Sequence, residues 1–179
     1  MDKLKVLDLF AGLGGFSYAS DNSQGNFETV AFCEIDKDCH RVLNKHWPLV
    51  PIFEDVSKLN LSTLQSEGIY NIDIICGGFP CTDVSVAGKQ KGLIDESGNK
   101  TRSGLWFEYK RVISEVRPSL VIIENVRQLL NNGMMTVLKD LDEVGYDCEW
   151  QVISARDVGS CHLRERVWIV AWPRSVISA

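Results

Sequence analysis

Cys81 ends the run IDIICGGFPC, residues 72–81, behind Gly77, Gly78, Phe79 and Pro80. A thiolate is the strongest nucleophile among common side chains, but a free thiol with a pKa of about 8.5 is mostly protonated at neutral pH. Such a cysteine therefore needs cationic or dipolar neighbours. A lone cysteine more often packs as a small buried hydrophobe. The position behind two glycines and a proline, which fixes φ near about −65°, favours a presented nucleophile instead. A second run, SLVIIENV at 119–126, carries Glu124 and Asn125 to the end of an apolar stretch. A carboxyl there is partly desolvated, which raises its pKa and suits it to proton donation; a helix-capping pair is the plainer alternative. Arg164 and Arg166 stand two apart in HLRERVWIVAW, residues 162–172. If a strand has begun there, its period of two points both at one face and Glu165 at the other. Arginine suits oxyanions, phosphates and base edges, although a pair of surface arginines is the ordinary outcome.

The fourth element is VLDLFAGLGGF, residues 6–16. A strand, a tight glycine turn and a helix bring backbone N–H groups against a ligand. Gly12, Gly14 and Gly15 depart from the dinucleotide fingerprint, because Ser17 stands where its last glycine belongs. Glu34 follows Gly15 by nineteen residues at the close of a second apolar run, where a carboxylate can accept from both ribose hydroxyls. Together they suit a nucleoside-containing cofactor without a pyrophosphate better than a nicotinamide dinucleotide.

The elements that must position these groups alternate from end to end. Strands are expected at Lys5–Leu9, Thr29–Ile35, near Pro51–Phe53, at Ile72–Cys76 and at Ser119–Ile123. Helical spacing follows the glycine turn to about residue 20 and recurs over Asp36–Trp47, near Ser57–Glu67, over Leu105–Val116 and over Met134–Val144. Cys148–Ser154 and Arg166–Trp172 are expected to pair antiparallel. Apolar strands between helices predict an α/β fold, a doubly wound, mostly parallel sheet with an antiparallel last strand. In such sheets ligands bind beyond the carboxyl ends of the strands, where all four motifs fall.

At 179 residues, 45% apolar and 24% charged, the chain has the length and composition of one globular domain rather than a disordered segment or a disulfide-stapled miniprotein. No apolar stretch approaches the ~20 residues of a membrane span, and the N-terminus MDKLKVLDLF lacks a signal-peptide pattern. A cytoplasmic chain without membrane partners is expected. The net charge of −5 is not the footprint of a strong stand-alone nucleic-acid binder. The six cysteines (33, 39, 76, 81, 148, 161) form no CxxC pair, so no metal site is expected. All but Cys81 are expected to be small buried hydrophobes.

In their order, DLFAGLGGF, GGFPC, ENV and an R-x-R before an apolar strand resemble the DNA (cytosine-5)-methyltransferase family over residues 5–172. The resemblance implies a Rossmann-like S-adenosylmethionine-dependent methyltransferase fold. It implies Phe10, Leu13, Gly14 and Gly15 around S-adenosyl-L-methionine, with Glu34 on the ribose. Asp55 would meet the adenine amino group, Ile35 and Val56 would flank the ring, and Pro80 and Leu105 would lie near the cofactor. Cys81 matches the nucleophile, Glu124 the acid on the cytosine ring, and Arg164 and Arg166 the pair beside the target base. Double-stranded DNA is the implied partner, with the base flipped out of the duplex. Residues 82–104, with four Gly, four Lys/Arg and three Asp/Glu, fit a lid that closes on that base, with Ser85 near the backbone.

The sequence also departs from the family. Thr82 and Val84 replace the usual Gln and Phe after Pro-Cys, and His162 replaces the Gln before the first arginine. Family members continue into a target-recognition domain and a closing segment, both expected to be absent from residues 1–179, so that the chain is a truncated catalytic part or one half of a split enzyme completed by a second polypeptide. A non-catalytic cofactor- or partner-binding remnant and an RNA-directed relative are the alternatives.

Overall fold

The computed structural model describes residues 2–80 and 102–174. Strand β1 (Leu4–Leu9) is followed by α1 (Gly15–Asp21), β2 (Phe27–Cys33), α2 (Lys37–His46), β3 (Ile52–Phe53), α3 (Leu61–Ser66) and β4 (Ile74–Gly77). A 3-10 turn at Arg102–Leu105 leads into α4 (Trp106–Val116), then β5 (Leu120–Val126), α5 (Leu129–Asn132), α6 (Met134–Glu143), β6 (Tyr146–Ser154) and β7 (Glu165–Pro173). The strands are ordered β3-β2-β1-β4-β5-β7-β6. β1 pairs parallel with β2 and β4, β2 parallel with β3, and β6 antiparallel with β7. This is the mixed, mostly parallel α/β sheet that the alternation of apolar runs predicts. By contact the chain divides into a first unit, 1–78 with 111–121, and a second, 79–110 with 122–179.

In the first unit β1 is buried on both faces, with Val6, Leu7, Asp8 and Leu9 at 2% exposure or less, as an inner parallel strand requires. Phe32, Leu43 and Ile75 complete its core with Val112 and Ile113. α2 starts where expected, because the Asp36 side chain accepts from the Asp38 N–H at 2.7 Å. α3 starts at Leu61 rather than near Ser57. Asn60 and Thr63 close a capping box there, each side chain bonded to the other's backbone N–H at 2.9 Å. The residues before it are held in a turn by the Asp55 carboxylate.

In the second unit β7 alternates buried Val167, Ile169 and Ala171 with half-buried neighbours. Trp106 is wholly buried; its indole N–H donates to Asp140 Oδ2 at 2.7 Å, and its ring lies 5.6 Å from that of Phe79. Lys110 bonds Asp140 Oδ1 and Glu143 Oε2, both at 2.6 Å. Burial opposes the Lys110 ammonium, but these two carboxylates prevail and raise its pKa. The four-residue helix α5 carries too little periodicity to be read from sequence.

The cysteines need correction. Cys33 and Cys76 are buried, but Cys39 and Cys148 are half-buried and Cys161 is exposed. Cys161 lies in the loop before β7, where nothing covers a small apolar side chain. No helix among the described residues is long and apolar enough to cross a membrane.

Candidate active site

Three loops of the first unit leave the carboxyl ends of β1, β2 and β3. Gly14 caps α1 in the left-handed region at φ +84°, and a Cβ there would lie 2.6 Å from the Trp47 ring. Gly15 has no positive φ and, among the described residues, no atom within 4 Å of an added Cβ, so packing among them does not account for it. Glu34 spans two of the loops: Oε2 accepts from the Gly12 N–H at 2.7 Å and Oε1 from the Asp36 N–H at 2.9 Å. Both oxygens are thereby oriented, and among the described residues each keeps a free lone pair. Asp55, after β3, takes the Ser57 N–H and hydroxyl on Oδ1 at 2.9 and 2.7 Å. These bonds hold its pKa below the ordinary carboxylate range. Among the described residues its Oδ2 has only Lys58, at 3.8 Å. Leu13 and Ile35 are 64% and 76% exposed, whereas Val56 is 6% exposed and Phe10 half-buried. Two oriented carboxylate acceptors and exposed apolar side chains suit a ligand that combines hydrogen-bond donors with an apolar surface.

Beneath this edge lies a group that sequence reading passed over. Asp8, paired across the sheet with Cys76, is fully buried. Its Oδ2 accepts from the Ser17 hydroxyl at 2.8 Å, and burial pushes its pKa up to about 7. β4 approaches closely here: a Cβ on Gly77 would sit 2.1 Å from the Leu9 carbonyl oxygen, so the first glycine of GGFPC is a steric requirement.

The second unit holds Pro80, Leu105, Glu124, Arg164 and Arg166. Alternation along β5 puts buried Asn125 on one face and half-buried Glu124 on the other. The Asn125 side-chain N–H donates to the Phe79 carbonyl at 3.1 Å, while its Oδ1 accepts from the Val126 N–H at 2.9 Å. A buried amide thus anchors the chain just before Pro80, a contact between residues 46 apart that no local signal reveals. Pro80 and Leu105 are half-buried. Arg166 Nε meets Glu124 Oε1 at 2.8 Å. Arg164 precedes β7, yet its carbonyl accepts from the Ala155 N–H at 3.0 Å, extending the ladder by one residue. Burial raises the Glu124 pKa, and the charges of Arg166 and Arg164 oppose it without cancelling it. Cys81 and nearly all of the expected lid 82–104, Ser85 included, lie outside the described residues.

The mixed sheet is Rossmann-like; it carries the carboxylates Glu34 and Asp55 at one set of strand ends and the half-buried Glu124, bonded to Arg166, at another. The sequence pattern of C-5 cytosine-specific DNA methylases matches residues 4–177, and the chain belongs to that family. It is 33% identical over 168 residues to the type II methyltransferase M.CviJI of Paramecium bursaria Chlorella virus IL3A, a match covering 93% of this chain and 42% of the relative. Against M.HhaI of Haemophilus parahaemolyticus it is 33% identical, over 94% of this chain and 49% of the relative. A solved structure from an Escherichia coli prophage, described as a DNA modification methyltransferase, superposes with a TM-score of 0.78 at 26% identity, covering 97% of this chain and 48% of that one. The chain thus spans a little under half the length of each.

Proposed function

We propose that the chain is the cofactor-binding and catalytic part of a DNA (cytosine-5)-methyltransferase that works through a covalent Cys81 adduct. The observation that supports this best is Glu124, whose pKa burial raises while Arg166 bonds it from one side. Glu34 and Asp55 would accept from the ribose hydroxyls and the adenine amino group of S-adenosyl-L-methionine. Ile35 and the edge of Val56 would flank the ring, and Phe10, Leu13, Gly14, Gly15, Pro80 and Leu105 would line the rest. When bound, that cofactor supplies an electrophilic methyl group on a sulfonium.

The residues of this chain do the remaining work. C5 of cytosine is a poor nucleophile until a group adds across the 5,6 double bond. The Cys81 thiolate adds at C6, Glu124 protonates or hydrogen-bonds N3 and the exocyclic amine, and Arg166 holds O2. Arg164 and Arg166 supply positive charge that favours a thiolate. Loss of the C5 proton later expels Cys81. The base reaches them only when flipped from the duplex, at a cost of about a few kcal/mol. Because relatives are about twice as long, residues outside these 179, on the same or a second polypeptide, are proposed to supply sequence recognition.

Incubation with labelled S-adenosyl-L-methionine and mixed-sequence duplex DNA, followed by nucleoside analysis, tests the reading. The expected product is 5-methylcytosine, formed slowly and lost in Cys81→Ser. Label in RNA alone would favour the RNA-directed alternative, and cofactor binding without transfer under any condition the non-catalytic one.

A further inference from the structure

A solvent-open groove of about 680 Å³ runs through the second unit beside Glu124, lined in part by Arg127 and Gln128 from the turn after β5 and by His162, Arg164, Glu165 and Arg166 from the approach to β7. In a chain of net charge −5 it gathers three guanidinium groups against the single carboxylate of Glu165. Those guanidiniums are not equally committed. Arg166 is tied to Glu124 and, through Nη1, to the Glu165 carbonyl at 2.8 Å. Arg127 uses only Nη1, which reaches both Glu165 oxygens at 2.9 and 2.7 Å and leaves Nε and Nη2 without a hydrogen bond among the described residues. Its side chain is 56% exposed and that of Glu165 40%. An exposed ion pair of this kind contributes little to stability, so an incoming anion can replace it at small cost. The planar guanidinium fork matches two phosphate oxygens. The electrostatic influence of Arg164 and Arg166 on Glu124 ties the groove to the acid proposed to meet the base.

We infer that this groove seats a backbone phosphate of the strand carrying the target cytosine, with Arg127 as its ligand and Glu165 as the internal counter-ion that Arg127 gives up on binding. The inference rests on the proposed action on DNA. Fluorescence anisotropy with a labelled duplex, from 50 to 300 mM salt, tests it on the whole chain. Neutralising one phosphate contact should lower the slope of log K against log salt by about 0.9. Arg127→Gln is therefore expected to flatten the slope by about that amount and to weaken binding severalfold at low salt. Glu165→Gln, which removes only the competitor, is expected to tighten binding. An unchanged slope in Arg127→Gln, or equal weakening in both variants, would overturn the phosphate site and leave a structural ion pair. Failure of the unaltered chain to bind duplex DNA at low salt would overturn the DNA reading itself, and binding of RNA alone would replace the partner.

Discussion

Glu34 accepts two backbone N–H groups, whereas Glu124 meets the Arg166 guanidinium and, among the described residues, no backbone donor. Asp55 is likewise held by the N–H and the hydroxyl of Ser57, whereas Glu165 takes Arg127. Backbone donors fix a carboxylate in one direction, which suits an acceptor that must fit an uncharged ribose or amino group. Guanidinium charge lowers a carboxyl's proton affinity where burial raises it, which suits an acid that must give up a proton. In the proposed function one set of strand ends holds the cofactor and the other reacts with the base. Asp8 is the exception: a carboxyl sealed in the sheet, where its charge costs stability.

The largest expected effect breaks the reactive side alone. Glu124→Gln should lower methyl transfer by about 10²–10⁴-fold, the usual contribution of a positioned acid. Calorimetric titration should find its affinity for S-adenosyl-L-methionine unchanged. Equal losses in both readouts would erase the division of labour.

Asp8 gives the next largest effect, and its sign is fixed. Its carboxyl titrates near 3.8 in the unfolded chain and at about 7 in the fold, because burial disfavours the charge. Between those values the fold keeps a proton that the unfolded chain releases. This contribution is therefore full below pH 3.8, falls as pH rises through 7, and is then level, with a total on the order of 4 kcal/mol. Asp8→Asn keeps the acceptor for Ser17 and removes the titration. Denaturant unfolding should show a smaller loss of stability from pH 5 to 8 in that variant than in the unaltered chain. Parallel losses in the two proteins would contradict the assignment.

The smallest effect sharpens the holding side. Glu34→Ala should weaken S-adenosyl-L-methionine binding about ten- to a hundredfold, as expected for lost charge-assisted hydrogen bonds. Arg164→Gln should leave that affinity unchanged by calorimetry. A loss in the arginine variant and none in Glu34→Ala would reverse the roles drawn for the two sets of strand ends.

Much of this was legible in the sequence because it is local. The apolar runs of β1, β5 and β7, the cap at Asp36 and the glycine turn each announce themselves within a few residues, and the order of the motifs carries the family. What stayed hidden lies between distant residues. The bonds from Glu34 to Gly12, from Asn125 to Phe79 and from Arg127 to Glu165 join side chains to partners 22, 46 and 38 residues away. Asp8 reads as one polar residue in an apolar run, and only the parallel pairing of β1 with β4 shows that Cys76 lies opposite it. The start of α3 was missed for a local reason: Asn60 and Thr63 outcompete the turn at Asp55 as a helix start, and composition does not rank the two.

The central claim is that Cys81 attacks a cytosine while Glu124 and the arginines hold the ring. Duplex DNA containing 5-fluorocytosine tests it most directly, because fluorine at C5 cannot leave as a proton does and the enzyme remains attached. With S-adenosyl-L-methionine present, intact-mass and peptide analysis should find one covalent adduct, mapped to Cys81 and absent from Cys81→Ser. An adduct that persists in Cys81→Ser, or one mapped to another residue, would contradict the account.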